Sequence, residues 1–292
     1  MTQTSAKTIK IGFFGTPDYA VTVLEHLARA GFELGFVVTA PDRPRGRGLH
    51  LTPPPAKVWA EAHQVPVLQP EKLRNNPDIV QALQEFHCDV FVVIAYGQII
   101  PLEILELPAG HTLNIHGSLL PRLRGSCPIE TAILDDERET GVTIMRVDAL
   151  MDHGPILASR KVTVEPWPPT AAVLGQAIVE AGADLLIEIL PDWLAGKLPE
   201  KPQDHARATI TQKITKTDGL IDLTDDPYLN YRKIQAYHEW PQAYFLAQKR
   251  GQEIRVKIAA ASFAAGQLTI ERVIPEGGRE MAYTDFLKGL KD

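Results

Sequence analysis

The chain has 292 residues, of which 45% are hydrophobic and 23% are charged, and its formal net charge is −6. This composition is typical of a globular protein and excludes a disordered or fibrous chain. The acidic total argues against indiscriminate nucleic-acid binding, while the length suits one α/β domain of about 200 residues with a smaller module.

Strands and helices alternate over the first part of the chain. The apolar run 9–15 ends in a glycine and is followed by helical spacing of apolar residues from Tyr19 to Ala30. Further strands are predicted at 34–39 and 90–95, and a helical stretch from Pro77 to His87 precedes the second of these. This alternation predicts a Rossmann-like, doubly wound and mostly parallel sheet.

The later elements divide into two groups. The first group completes the α/β domain, with strands at 112–115, 141–147 and 156–164 and helices at 128–135 and 171–194. A polar, proline-bearing stretch from Pro199 to Ala208 is typical of a linker. We therefore predict a catalytic domain over 1–204 and a small β-rich domain over 205–292. The second group lies in that domain, with a turn at 218–219, a helix at 226–237 and short strands at 243–247, 254–259 and 267–273.

The first strand-to-helix turn, Gly15 to Asp18, lies where a dinucleotide-binding fold carries three glycines. It has one glycine and a proline, which leaves too little bare backbone to hold a pyrophosphate. We therefore expect a structural turn and no nicotinamide cofactor.

Cysteine content and hydropathy indicate the cellular compartment in which the protein is expected. Cys88 and Cys127 are the two cysteines, and neither belongs to a Cys-x-x-Cys pair typical of zinc or redox sites. Residues 1–10 are polar, and no uninterrupted apolar run is long enough to cross a bilayer. We expect a cytoplasmic protein that neither enters a membrane nor binds a metal.

A candidate catalytic site lies between Leu113 and Asp152. Asn114 and His116 are two positions apart on a predicted strand, so their side chains share one face. A carboxamide donor, an imidazole and a carboxylate such as that of Asp152 are what acyl transfer to an amine requires. A lone histidine at a strand end is more often structural, but the proline-containing loop directly after His116 favours catalysis.

A basic loop occupies residues 41–60. It has one acidic residue, Asp42, and four cations, so its net charge is 4 − 1 = +3. The cations are Arg43, Arg45, Arg47 and Lys57. Clustering with glycine favours contact with a phosphate backbone, whereas an ordinary solvated loop is the alternative.

The chain resembles the folate-dependent formyltransferases. The resemblance rests on Asn114-Ile115-His116, the following Ser118–Pro121 loop, Arg124-Gly125 and the Asp152–Gly154 turn. It implies that Asn114, His116 and Asp152 are the catalytic groups. It also implies a folate-binding set made of Ser118, Leu119, Leu120, Pro121, Tyr96 and Gly97, although Tyr96-Gly97 as a plain strand terminator remains open.

Other segments resemble the branch of that family that acts on initiator methionyl-tRNA. They are 15–20, 41–48, 51–55, 213–219 and 275–281, so the resemblance runs from end to end. It implies 10-formyltetrahydrofolate as the formyl donor, the α-amino group of methionine on initiator methionyl-tRNA as the acceptor, and no metal. It also implies that the loop with Arg43, Arg45 and Arg47 binds the acceptor end of the tRNA.

Two alternative functions remain open. The family places an OB-like barrel in its second domain, and here that domain is predicted to be shortened, because only Ala260–Gly266 separates two of its strands. A shortened domain favours formyl transfer to a small amine, such as an amino-sugar nucleotide. A folate- or RNA-binding protein without catalysis is the other alternative. We expect a monomer, and His153 is a potential competitor for the carboxylate of Asp152.

Overall fold

The computed structural model describes residues 8–45, 48, 50–249 and 251–290. Its strands, in chain order, are β1 (Lys10–Gly15), β2 (Glu33–Val38), β3 (Arg43–Arg45), β4 (His50–Thr52), β5 (Val67–Leu68), β6 (Val90–Ile94), β7 (Thr112–His116), β8 (Thr140–Arg146), β9 (Ile156–Val162), β10 (Tyr244–Lys249), β11 (Gln252–Ala264), β12 (Gln267–Pro275) and β13 (Met281–Ala282). Its α-helices are α1 (Asp18–Arg29), α2 (Pro55–Ala62), α3 (Pro77–Glu85), α4 (Leu102–Leu105), α5 (Pro128–Leu134), α6 (Ala171–Leu194), α7 (Pro227–Ala236) and α8 (Tyr283–Lys288).

Seven strands form the main sheet, in the order β5-β2-β1-β6-β7-β8-β9. The pairs from β5 through β7 are parallel, whereas β7 and β8 pair antiparallel with His116 opposite Thr143. The predicted mostly parallel, doubly wound sheet is therefore confirmed. The antiparallel strand was not predicted, because an apolar run carries no information on strand direction.

Local sequence determines where several helices begin. Helices α2, α3, α5 and α7 each have proline at their first positions, where the missing N–H costs no helical hydrogen bond. The side chain of Asn76 caps α3 by accepting the N–H of Ile79, and Asp226 caps α7 by accepting the N–H of Leu229. These signals explain why the predicted helices at Pro77 and Pro128 begin at those residues.

The main sheet is buried on both faces around an aromatic cluster. Phe14 and Phe36 are fully buried, Phe91 is 1% exposed, and the ring centroids of Phe14 and Phe36 are 5.8 Å apart in an edge-on arrangement. Strands buried on both faces have continuous apolar sequences, as β1, β2 and β6 do. This core supports β7, the strand that carries the candidate site.

The chain divides into two compact units. The first consists of Met1–Arg124, Gly141–Val162 and Gln176–Thr209; the second consists of Gly125–Thr140, Thr163–Gly175 and Ile210–Asp292. The second unit thus includes two segments that precede the domain boundary predicted at 204/205. That boundary, as the end of a catalytic domain, stays a prediction.

The second unit contains an antiparallel four-stranded sheet in the order β10-β11-β12-β13. Its core includes Val256 and Val273, which are fully buried, and Phe286 from α8. Helix α7 packs against β11 and β12, and α5 packs against α7. The predicted small β-rich C-terminal part is confirmed, and in the described residues it is an open four-stranded sheet.

The helices of the described residues do not meet what a membrane-spanning helix requires. None of their helices, including the 24-residue α6, combines the length and the apolar character that crossing a bilayer requires.

Candidate active site

Strand β7 carries two of the three predicted catalytic residues. His116 is its last residue and is 5% exposed, while Asn114 lies in the middle of the strand and is half-buried. Their separation by two positions gives both side chains the same face of the sheet. The predicted placement of the two side chains on one face of a strand is therefore what the structure shows.

The carboxylate of Asp152 lies beside both side chains. Asn114 Nδ2 donates to Asp152 Oδ1 at 3.4 Å, and His116 Nδ1 is 3.6 Å from the same oxygen. The Asp152 side chain is 15% exposed, so the cluster is shielded and still reachable from solvent. The structure therefore brings together the carboxamide, the imidazole and the carboxylate that the sequence pattern singled out.

Both ring nitrogens of His116 face acceptors. Nε2 donates to the carbonyl oxygen of Leu123 at 2.9 Å, and Nδ1 faces the carboxylate of Asp152. Each nitrogen of the ring therefore has an acceptor oxygen within 3.6 Å.

The route of the chain to Asp152 follows from the direction of β8. Because β8 is antiparallel to β7, its carboxyl end at Arg146 lies level with Leu113, near the start of β7. The chain then doubles back, and the N–H of Arg146 donates to the carbonyl of Pro155 at 3.0 Å. Asp152 lies in this turn with a φ of 49°, a left-handed conformation that is uncommon outside glycine.

His153 is paired elsewhere. Its Nδ1 is 2.7 Å from Asp148 Oδ2, and its ring stacks on that of His205 with centroids 4.1 Å apart and an angle of 3° between the planes. The competition for the carboxylate of Asp152 that the sequence raised is therefore not observed. His153 instead holds the early part of the turn.

The loop after β7 has a defined shape. Ser118 is buried, and its hydroxyl donates to the carbonyl of Arg122 at 2.6 Å. The hydroxyl of Thr143 accepts the N–H of Leu120 at 3.1 Å and donates to the carbonyl of Ser118 at 2.7 Å. Leu119 and Pro121 are half-buried, and the Leu120–Pro121 peptide bond is cis.

Thr143 was missed by the sequence analysis. It is fully buried on β8, and it connects that strand to the loop. A single hydroxyl in the otherwise apolar run Val142–Met145 was the available signal, because a buried polar group needs a hydrogen-bond partner.

The two predicted folate-binding residues in the turn after β6 lie in different surroundings. The ring of Tyr96 is 5% exposed and packs edge-on against Phe14, and burial raises the pKa of its hydroxyl to about 12. Gly97 has a φ of 84°, and a Cβ placed there would meet nothing within 4 Å. Tyr96 therefore belongs to the core, and open space at this turn lies beside Gly97. A contribution of the turn to folate binding stays a prediction.

The predicted basic loop contains the β3–β4 hairpin. Arg43 Nη2 pairs with Glu71 Oε2 at 2.9 Å, and Lys57 Nζ pairs with Asp42 Oδ2 at 2.9 Å. Hydrogen bonds from Gln69 and Lys57 lower the pKa of the Asp42 carboxyl. The backbone of Arg45 pairs with that of His50. Arg47 lies outside the described residues, so its predicted tRNA contact, like those of Arg43 and Arg45, stays a prediction.

Metal-ligating side chains do not cluster in the described ranges. No group of three or more histidine, cysteine, aspartate or glutamate residues there could hold a metal ion.

This fold agrees with the comparisons with known proteins. The sequence model of the family described as "Formyl transferase" matches residues 9–190. The chain belongs to the formyl transferase family, whose members are enzymes that transfer formyl groups.

The similar proteins include relatives with a specific name. Over 254 residues the chain is 47% identical to a methionyl-tRNA formyltransferase of Chloroflexus aggregans, an alignment that covers 87% of this chain and 81% of the relative. The solved methionyl-tRNA formyltransferase from Clostridium thermocellum has a TM-score of 0.63 at 16% identity, covering 94% of this chain and 99% of that one. HypX from Aquifex aeolicus, solved in complex with tetrahydrofolic acid, has a TM-score of 0.66 at 17% identity, covering 96% of this chain and 47% of that one. At these identities the two solved structures show the fold alone.

Proposed function

We propose that this protein transfers a formyl group from 10-formyltetrahydrofolate to the α-amino group of methionine on initiator methionyl-tRNA. The observation that carries the proposal is the approach of Asn114 and His116 to one oxygen of Asp152, at 3.4 and 3.6 Å, in a member of the formyl transferase family. The name of the 47% identical relative supports methionyl-tRNA as the acceptor.

The chemistry requires one bond to form and one to break. The amine nitrogen of methionine attacks the formyl carbon, the bond from that carbon to the folate nitrogen breaks, and the amine proton moves to the folate nitrogen. We assign Asn114 Nδ2 as the hydrogen-bond donor to the formyl oxygen, and the positive charge of a protonated His116 ring, whose nitrogens face Leu123 and Asp152, as the second source of stabilisation for the negative charge that develops there. Asp152 orients His116 and compensates its positive charge.

The Ser118–Pro121 loop is our candidate for the folate wall. Its backbone is held by Thr143, and the half-buried Leu119 and Pro121 offer apolar surface to a pterin ring, which suits a site that is mostly apolar and formed in advance. Tyr96 and the exposed Gly97, from the turn after β6, complete the set of residues that we assign to the folate site. No step of the proposed reaction needs a metal.

The tRNA would be bound through the basic loop with Arg43, Arg45 and Arg47. Arg43 of this loop pairs with Glu71, and Lys57 of α2 pairs with Asp42, so part of their charge is compensated locally. We further propose that the protein acts as a monomer in the cytoplasm.

Formylation of aminoacylated tRNA tests the proposal. Purified protein is incubated with 10-formyltetrahydrofolate and either initiator methionyl-tRNA or an amino-sugar nucleotide, and the products are separated by mass. We expect formylmethionine on the tRNA and no formylated sugar. Formylation of the sugar alone would replace the proposed acceptor, and no product with either would contradict a catalytic function.

A further inference from the structure

The segment after α6 is bound to the strands that flank the candidate site. Lys201 and Ile156, the first residue of β9, exchange both backbone hydrogen bonds, at 2.8 and 2.9 Å. Just before it, Glu200 pairs with the guanidinium of Arg146 at 2.8 Å. This segment was predicted to be a linker from its polar, proline-bearing sequence. Its pairing instead carries Gln203 to the turn that holds Asp152.

The amide of Gln203 joins the turn to a buried arginine. Its Nε2 donates to the carbonyl oxygens of Asp152 at 2.9 Å and Gly154 at 2.7 Å. Its Oε1 accepts from Arg124 Nε at 3.2 Å and Nη2 at 2.6 Å. Gln203 is 6% exposed and Arg124 8%, so these bonds are shielded from water. Both donors and both acceptor positions of the amide are used, which fixes its orientation.

The turn needs such a partner because its conformation is costly. Asp152 is in the left-handed region at a φ of 49°, and residues kept in sparsely populated regions persist only where their surroundings hold them there. Two positions later, Gly154 lies so close to the carbonyl oxygen of Arg146 that a side chain at position 154 would overlap that oxygen. Gln203 therefore holds the carbonyl group of the left-handed residue itself and the carbonyl group two positions later.

We propose that Gln203 is a positioning residue that keeps the carboxylate of Asp152 beside Asn114 and His116, and that Arg124 orients its amide. This inference rests on the proposed function, since it assumes that Asp152 takes part in formyl transfer. Gln203 acts through Asp152 and does not contact the substrates. Its loss is therefore expected to lower kcat and to leave KM nearly unchanged.

The informative variant is Gln203→Glu. A carboxylate of the same length can still accept both bonds from Arg124, but it has no donor for the carbonyls of Asp152 and Gly154. The turn then loses both hydrogen bonds from this side chain and is expected to shift, and a displacement of about 1 Å at a catalytic group lowers turnover by about 100-fold. Gln84→Glu, the same change on the exposed face of α3, is the matched control, and we expect it to keep wild-type turnover.

The closing experiment separates positioning from a purely structural effect. Formylation of initiator methionyl-tRNA is measured for the wild type, Gln203→Glu, Asp152→Asn and the double variant, with thermal unfolding recorded for each. We expect Gln203→Glu to lower kcat and to have no further effect once Asp152 is replaced. If Gln203→Glu does not fold, Gln203→Asn takes its place in the same four-way comparison, because its shorter amide cannot reach both carbonyls.

Two results would overturn the inference: a folded Gln203 variant with wild-type kcat, or losses that multiply in the double variant. A wild-type protein that formylates no tRNA would contradict the proposed function instead.

Discussion

Asn114 and His116 show how one strand can present two functional groups at once. Alternate residues of a strand point the same way, so spacing by two delivers a carboxamide and an imidazole to one face of β7 without any loop geometry. Asp152 has no such simple relation to them, because it comes from a turn with a left-handed residue. At the scale of single residues, the strand provides the donors and the turn provides the acceptor.

Replacing His116 with alanine removes the positive charge that we propose stabilises the oxyanion. We expect kcat to fall by about 100- to 1,000-fold, or roughly 2.7–4 kcal/mol of barrier, as at other oxyanion sites. The KM for tRNA should change little, because the interaction belongs to the transition state. Steady-state formylation kinetics measure both constants. The exposed His238→Ala is the control, and wild-type turnover by His116→Ala would refute the catalytic role.

At the scale of elements, the turn from β8 to β9 is held on several sides. Gly154 abuts the carbonyl of Arg146, His153 pairs with Asp148, and Gln203 donates to the turn's carbonyl groups. A side chain at Gly154 would therefore disturb both packing and the position of Asp152.

We expect Gly154→Ala to destabilise the protein by roughly 1–3 kcal/mol, because overpacking against a backbone atom forces the chain to move. Formylation should fall with it, since Asp152 lies two positions away. Urea unfolding and kcat measure the two effects. Gly289→Ala, whose Cβ would meet its nearest neighbour at 3.6 Å, should change neither. Full stability and turnover in Gly154→Ala would show that the turn tolerates displacement.

Helix α5 in the second unit offers a test based on pH. Burial, and to a lesser extent the charge of Glu239, raises the pKa of Glu130 above its ordinary value of 4.5. The folded state thus favours the neutral carboxyl, so the contribution of Glu130 to stability is greatest below that ordinary value and is lost as pH rises through the raised pKa.

Glu130→Gln, which is neutral at every pH, should therefore be more stable than the wild type near about pH 8, with the difference shrinking toward about pH 5. Unfolding by urea across this range provides the measurement. Glu253→Gln, an exposed change on β11, should give no such trend. A wild type that is the more stable at high pH would contradict the assigned burial effect.

The elements with local signals were predictable, and those held by distant partners were not. The bounds of α3, α5 and β7 follow from prolines, caps and apolar runs near each element. By contrast, the role of Gln203 depends on pairing between Lys201 and Ile156, which no local pattern encodes. For the same reason a polar stretch typical of a linker contains a buried glutamine that contacts the site.

At the scale of the whole molecule, an acidic protein must bind a polyanion through a restricted surface. The net charge of −6 opposes RNA binding in general, so a few cations have to supply the attraction. Arg43 and Lys57 pair with Glu71 and Asp42, and the other two cations of the sequence 41–60 are Arg45 and Arg47.

Replacing Arg45 or Arg47 with alanine should weaken binding of initiator methionyl-tRNA and reduce its dependence on salt. Each lost phosphate contact lowers the slope of log K against log salt by about 0.7–0.9. Filter binding at several salt concentrations measures this slope. Arg29→Ala, on the exposed face of α1 and paired with Glu25, is the control. Unchanged affinity and slope in both loop variants would move the proposed tRNA contact elsewhere.

The assembly of the second unit from three separate stretches of chain has a consequence for biosynthesis. Arg232 of α7 donates to the carbonyl of Leu134 at the end of α5, across 98 positions of sequence. At a translation speed of about 5–20 residues per second, α5 leaves the ribosome about 5–20 seconds before its partner helix exists. During that interval its apolar side has no native partner on α7, so a nascent chain paused between the two helices should be the form that chaperones bind most strongly.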